Sequence, residues 1–566
     1  MPSRVSQSRQ FGTHIATRHS KESHATDELL PSLLQPQRCI EAATFGHDLV
    51  SNLPTELLIQ IMDFCDGSTY FRLAQVNRHF NRIITDIILA HNQMGSSSKH
   101  IWFYYYMWNK PKILAALSIC LSDKYVLSEF YYSFNSEEAI CHHLAAITRF
   151  FQNRVMSIER LKLDFPSTNQ PTLDEAIISR STLVTLLEVA LAKGCLYFEL
   201  NGHIDCFLPH SSPRHTVRSF KRTSSGERKS RRGRVLSWFK SHLSPSTPPP
   251  LPFFDSPPSL NKLTINSCLM LDPSFRSHTF GLLQSQSPTL RKLKLHRPEP
   301  ENSICEEFFS SKVSLPALES FTYTYYEPGY PLAKKFDALY GFLARHPSIQ
   351  KIKFPPISAQ FNRLFPAFKK CPKFNAKKLF LPNLQRVYGH PRIISWFLQD
   401  PKAFSKLEHV SLEARNKFLY ESYYLLDDAL IALGSRMSDV SPSGGKSPIH
   451  LELKVSVDAN FCQWLSKHIE HPNASPIQNL KGVETLTICA KDGRAKLEVC
   501  HLDQVIAWAS LFPSLKRFRL DMYSLDLYKV ISKDPQAFST SVMDKCLGVE
   551  ICSVTNFDCY YDGLTC

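Results

Sequence analysis

The chain has 566 residues, 43% of them apolar and 21% charged, with a formal net charge of +15 at pH 7. A single hydrophobic core stops growing at roughly 250–300 residues, so this length calls for several domains or one elongated array. No apolar run reaches the ~18 residues that crossing a bilayer requires, which excludes a helical membrane span and predicts a soluble chain.

Residues 1–47 are polar and aperiodic. The opening MPSRVSQSRQFGTHIATRHSK carries Arg and Ser with no acid before Glu22, yet lacks the continuous amphipathic face of a transit peptide. A disordered tail is the expectation. The 16 cysteines, from Cys39 to Cys566, include no CxxC pair, and Cys65 and Cys268 stand where small hydrophobes would. Reduced thiols in cytosol or nucleus follow from that usage.

Residues 48–92 predict three short helices. Pro54 suits a first helical position, where a missing N–H costs nothing. Leu57, Leu58, Ile61 and Met62 then fall toward one side, and Asp66-Gly67 closes the turn. Thr69 caps a second helix carrying Leu73 and Val76, and Asn77 a third with Phe80, Ile83, Ile84, Ile87 and Ile88. Three helices in about 40 residues rarely bury enough surface to stand alone. The order LPxELLxxI at 53–61, then Leu73, Val76, Arg78 and Phe80, resembles an F-box. Phe80 holds a position where that family often has Trp; Cys65 and Tyr70 stand where Leu is commoner. The resemblance implies docking on the Skp-type adaptor of a cullin-containing (SCF-type) ubiquitin ligase. Leu53, Pro54, Leu57, Leu58, Ile61, Leu73, Val76 and Phe80 would then form or support the adaptor-facing surface.

Residues 93–155 read as a helical connector, from KILAALSICLSDKY and SEEAICHHLAAITRFFQNRV. From 156 to 566 a phrase recurs, apolar-x-x-apolar-x-apolar, as in SIERLKL (157–163), SLNKLTI (259–265), TLRKLKL (289–295), SIQKIKF (348–354) and SLKRFRL (514–520). Nine copies are clear; GCLYFEL (194–200) and SPIHLEL (447–453) are weaker. The last two apolar residues of each phrase are two apart, as on one strand face. Helical patterns intervene, in PLAKKFDALYGFLARHP, SYYLLDDALIALGSRM, NFCQWLSKHI and LDQVIAWASLF. Strand and helix in alternation predict parallel strands with helices on the other side.

A doubly wound α/β enzyme would have strands apolar on both faces and Gly-rich turns. Here alternate strand positions are polar and Gly totals 19, so one strand face should be wet. The pattern resembles long leucine-rich repeats, departing from them in lacking their turn Asn or Cys except at Cys268. The fold class expected is therefore α/β: a three-helix F-box, a helical connector, then a curved leucine-rich-repeat-like solenoid. Residues 211–258, basic and Ser/Pro-rich, interrupt it as a disordered loop. Between His210 and Leu243, ten Lys and Arg face Glu227 alone, giving +9 of the +15. That segment reads as a linker, a nuclear import signal or a nucleic-acid contact.

The residues flanking the second apolar position of each clear phrase should line the wet face. Ten of these eighteen are cationic: Arg160, Lys162, Lys262, Lys292, Lys294, Lys351, Lys353, Arg386, Arg517 and Arg519; none is acidic. An acidic or phosphorylated partner segment suits such a face, whereas a solvated strand surface that keeps other strands away is the plainer reading. No GxGxxG, P-loop, GxSxG or HExxH is present, so no cofactor, metal or catalytic set is expected. The function expected is a non-catalytic substrate receptor of an SCF-type ligase, cytoplasmic or nuclear, holding an unidentified protein target. The alternatives are an F-box scaffold outside ubiquitin transfer and a basic nucleic-acid-binding repeat protein.

Overall fold

The computed structural model describes residues 53–556, apart from 203–256, 355–379 and shorter stretches between elements. The tail 1–47, nearly all of the 211–258 insertion, Asn77, Cys559 and Cys566 lie outside the described residues. The chain divides into two units, Met1–Ile61 and Met62–Cys566.

The described part of the first unit opens at Pro54, whose carbonyl accepts the N–H groups of Leu57 at 3.0 Å and Leu58 at 3.1 Å. Proline has no N–H to waste there and its fixed φ starts the turn. Helix α1 (Thr55–Asp63) follows and runs across the unit boundary.

The second unit continues with α2 (Arg78–His91), then alternates strands and helices. The strands are β1 (His100–Phe103), β2 (Tyr125–Ser133), β3 (Val155–Phe165), β4 (Tyr197–Gly202), β5 (Lys262–Asn266), β6 (Lys292–His296) and β7 (Ser320–Thr324). They continue as β8 (Lys351–Phe354), β9 (Arg386–Gly389), β10 (His409–Ala414), β11 (Ile449–Val455), β12 (Val483–Ala490), β13 (Arg517–Met522) and β14 (Ile551–Asn556). All join one parallel sheet in sequence order. Between them lie α3 (Lys110–Ile119), α4 (Ile140–Arg154), α5 (Leu173–Ala192), α6 (Arg276–Ser285), α7 (Ser303–Ser310) and α8 (Leu332–Ala344). The series ends with α9 (Pro391–Phe397), α10 (Glu421–Ser438), α11 (Ala459–Glu470), α12 (Val499–Ala509) and α13 (Pro535–Lys545). A strand-by-strand order without crossovers, with helices packed beside one another (α4 on α5, α9 on α10, α11 on α12), is a solenoid.

Each repeat contributes the same two strand residues to the core, because side chains alternate across a pleated strand. Leu161, Phe198, Leu263, Leu293, Phe321, Ile352, Val387, Val410, Leu451, Leu486 and Phe518 form one buried row in register. Large helix residues such as Phe342 and Trp508 are buried in the same core cluster. At the strand entrances a second device repeats: the carbonyls of Leu196, Asn261, Arg291, Glu319, Gln350 and Gln385 each accept two successive N–H groups from the next repeat. These six strand starts are thereby tied to their predecessors through the backbone.

Ahead of two strands, side chains from the ends of helices satisfy turn backbone groups. Buried Gln286 accepts the N–H groups of Ser259 at 2.9 Å and Leu260 at 3.0 Å through Oε1. His346 Nε2 accepts the N–H of Leu315 at 3.0 Å. An unsatisfied buried N–H costs about 1–3 kcal/mol, so these contacts settle otherwise orphaned turns.

The 93–155 connector is not purely helical. HIWF and YVLSEFYYS, rich in aromatic and branched residues, form β1 and β2 and start the sheet two strands earlier than the phrases suggested. The helices expected there, α3 and α4, are present and cover those strands. Asn81 of α2 donates to the Ile119 carbonyl at the end of α3 at 2.8 Å, which anchors α2 to the first repeat.

Candidate partner-binding surfaces

Two surfaces gather the residues singled out in the sequence. The first is α1 and the turns after it. Along α1 the apolar stripe is wider than one buried face. Leu58 is buried at 1% exposure and so is Met62 four residues on, whereas Leu57 is 45% and Ile61 48% exposed. Phe64, just past the helix, is 92% exposed, and Val76, whose N–H closes a turn on Leu73 at 3.0 Å, is 65% exposed. Pro54 is exposed, Leu53 and Leu73 are half-buried, and Phe80 is buried. The sequence-derived set thus divides. Pro54, Leu57, Ile61 and Val76 are open to a visitor, while Leu58 and Phe80 support the helices from inside.

The second surface is the polar face of the sheet. The register aligns its side chains in rows. One row reads Glu129, Arg160, Tyr197, Lys262, Lys292, Ser320, Lys351, Arg386, His409, His450, Thr485 and Arg517 across successive strands. The next reads Tyr131, Lys162, Glu199, Thr264, Lys294, Thr322, Lys353, Tyr388, Ser411, Glu452, Thr487 and Arg519. All ten predicted cations share this face, but they do not share one environment.

At the β2–β4 end, Arg160 pairs with Glu129 at 3.6 Å and Lys162 with Glu199 at 3.4 Å. Aromatic rings stand over the same cations: Arg160 lies 5.5 Å from the Tyr197 ring and Lys162 5.0 Å from that of Tyr131. Burial, aided by the Asp164 carboxylate that accepts its hydroxyl proton, pushes Tyr131 up to about 12. At the β10–β13 end, Glu452 sits among His409 at 3.5 Å and Lys454 at 3.7 Å, and Arg519 pairs with Asp521 at 2.6 Å. Burial works against the Glu452 carboxylate, yet hydrogen bonds from His409 and Ser411 and the Lys454 charge hold it down to about 2. His450 is half-buried; that burial, then the neighbouring His409, pushes it down to about 4.

The middle differs. From β5 to β9 both rows contain Lys262, Lys292, Lys294, Lys351, Lys353 and Arg386, and no acid. Lys292, Lys294, Lys351 and Lys353 make no ion pair among the described residues. Lys351 is pushed down by burial, then by Lys353, Arg386, Lys292 and Lys294; Lys353 is pushed down by burial, then by Lys454 and Lys294, against the opposing pull of Glu452 and Glu413. These ammonium groups repel one another across the strands. Lys351 and Lys353 each stand 5.0 Å from the Tyr388 ring, whose π face offsets part of that repulsion.

One arrangement has the order of a hydrolase relay. Asp427 Oδ1 lies 3.0 Å from His468 Nε2, and His468 Nδ1 lies 3.0 Å from the Ser475 hydroxyl. No sequence motif marks it, since the three residues lie on α10, α11 and the turn beyond. Ser475 and His468 are both buried, and Ser475 Oγ also accepts the Ile477 N–H as a helix cap. Trp464 Nε1 donates to Asp427 at 2.8 Å. Burial raises the Asp427 carboxyl, but the His468 and Trp464 hydrogen bonds outweigh it and the net direction is down. A nucleophile must reach its substrate, and this hydroxyl is sealed. The trio is a strut joining two helices and a turn.

Among the described residues no group of His, Cys, Asp and Glu is arranged to hold a metal ion, and no helix is long and apolar enough to cross a membrane. Residues 50–93 match the family model described as F-box-like. A search of curated proteins finds no match to the chain.

Proposed function

We propose that this chain is a substrate-recognition subunit of an SCF-type ubiquitin ligase. Its F-box-like segment docks on a Skp-type adaptor, and through it on a cullin. The solenoid, in kind a set of irregular leucine-rich repeats, holds a protein target on its polar sheet face, with an acidic or phosphorylated segment meeting the lysines. The observation that carries this reading is the exposure of Leu57, Ile61 and Val76 inside the matched segment. Apolar anchors of this size dominate interfaces when they fill pockets on a partner, and water is a poor place to leave them. The proposal takes Leu53, Pro54 and Leu73 as further contacts, with the buried Leu58 and Phe80 as support. The chain supplies no chemistry on this account; it raises the effective concentration of target near the transfer machinery, in cytoplasm or nucleus.

The test is co-purification of the intact chain against a Leu53→Ala/Pro54→Ala variant, read by mass spectrometry. Adaptor and cullin should vanish together from the variant while other partners remain. Adaptor recovered from the intact chain without cullin would make it a scaffold outside ubiquitin transfer.

A further inference from the structure

We propose that Lys292, Lys294, Lys351 and Lys353 form a cradle, over the hydroxyl-bearing strand β7, for a phosphomonoester on a protein segment. The proposal rests on the solenoid being the target-binding part of the chain, and it narrows the ten-cation face to four residues.

Geometry comes first. β6 and β8 flank β7, and the register sets Lys292 and Lys351 on either side of Ser320, and Lys294 and Lys353 on either side of Thr322. Strands lie about 4.8 Å apart and alternate residues about 7 Å apart, so the four Cα positions outline a rectangle of about 10 by 7 Å. Long side chains rise from its corners, and only short hydroxyl side chains fill its centre. Thr322 is 3% exposed, so it forms a floor and does not compete for the space above. A tetrahedral phosphate with charge-assisted contacts of about 2.8 Å to several ammonium groups fits a site bounded on four sides.

Electrostatics points the same way. Toward the two ends of this face Arg160, Lys162 and Arg519 have acids within reach, Glu129, Glu199 and Asp521 respectively. The quartet's register neighbours from β5 to β9 are cationic or neutral, Lys262 and Arg386 among them, and burial together with the surrounding positive charge depresses Lys351 and Lys353. A dianion placed between them removes the repulsion and gains the attraction together. Tyr388 keeps two of the four ammonium groups at one edge before any ligand arrives, which lowers the ordering cost of binding. In the register position beside Lys294, the hydroxyl of Thr264 is buried and has no hydrogen-bond partner among the described residues.

Lysines line the cradle. An ammonium is a compact point charge that can approach a phosphate oxygen from any direction, and a dianion surrounded by four of them gains more than a single carboxylate charge does. Flanking Lys262 and Arg386 extend the positive row to five strands, about 19 Å, the length of an extended segment of about six residues. The site thus takes one phosphorylated residue centrally, with the flanks of the same segment along the row.

The test uses the purified full chain and fluorescence anisotropy with a degenerate peptide pool centred on phosphothreonine. Matched pools carry threonine or glutamate at that position, and inorganic phosphate and a single-stranded oligonucleotide serve as competitors. The phosphothreonine pool should bind at least about tenfold tighter than the glutamate pool, with inorganic phosphate competing. Lys294→Gln/Lys353→Gln should lose about tenfold or more, Lys294→Arg/Lys353→Arg should retain most binding, and Arg160→Gln/Arg519→Gln should change it less than about twofold. Equal losses from the central and the ion-paired variants, or equal binding of the phosphate and glutamate pools, would overturn the cradle. So would an oligonucleotide that outcompetes the peptides and binds without the quartet. Adaptor co-purification is read separately, so loss of ligase membership with intact phosphopeptide binding refutes only the function proposed above.

Discussion

Glu452 gives the sharpest quantitative check on how charge is arranged along the sheet face. Its carboxylate lies among His409, Ser411 and Lys454, and its pKa is held at about 2 against an ordinary 4.5. A carboxylate whose folded pKa lies below its unfolded one stabilises the fold above the unfolded pKa. That contribution drains away as pH falls through the folded pKa. The window is therefore about pH 4.5 down to about pH 2. The full difference corresponds to about 3 kcal/mol, and solvent screening of a partly accessible group reduces it to about 2 kcal/mol. Glu452→Gln keeps the shape and removes the charge. By urea denaturation near neutral pH the variant should be less stable by about 2 kcal/mol, and the two proteins should converge near pH 2. Equal stability at neutral pH, or a gap that persists in acid, would refute the internal neutralisation of this end and the contrast with the lysines of β5–β9.

Other outcomes follow from packing and backbone geometry. Gln286→Ala strips the acceptor from two buried N–H groups and should cost about 2–4 kcal/mol in urea denaturation; a change under about 0.5 kcal/mol would show that the turn finds another partner. At Gly202, φ is +111° and an added Cβ would collide with the Phe165 carbonyl oxygen, whereas at Gly194, φ is +81° and nothing lies within 4 Å. Gly194→Ala should cost about 1 kcal/mol and Gly202→Ala more than about 3 kcal/mol, compared by thermal unfolding; similar values would contradict the close approach. On α1, Leu58→Ala should lose about 2–5 kcal/mol of stability while Leu57→Ser should stay within about 0.5 kcal/mol, because only the first side chain is buried.

The period-two phrases were legible because a strand with one wet face writes its alternation into the sequence. All nine clear copies are strands, and so are the weaker copies at β4 and β11. β1 and β2 were harder to read: HIWF and YVLSEFYYS have apolar residues on nearly every position, so no alternation separated them from the helices beside them. The cationic face was legible in composition but not in charge balance. Glu199 and Glu452 sit in the two weaker phrases, and Glu129 in an unrecognised strand, so the acids that neutralise both ends were out of view. Gln286 and His346 reach turn groups 26 to 31 residues away, a distance at which one sequence carries no signal. On α1 the motif supplied the residues, while the division between Leu57 and Leu58 depended on how far the chain covers its own apolar stripe.

The most direct measurement is binding of the purified full chain to a purified Skp-type adaptor, followed by isothermal titration calorimetry. The wild type is compared with a Leu57→Ser/Ile61→Ser/Val76→Ser variant whose unfolding curve matches it. The account predicts a heat of binding for the wild type that disappears in the variant. Equal affinity of the two proteins for the adaptor would contradict it.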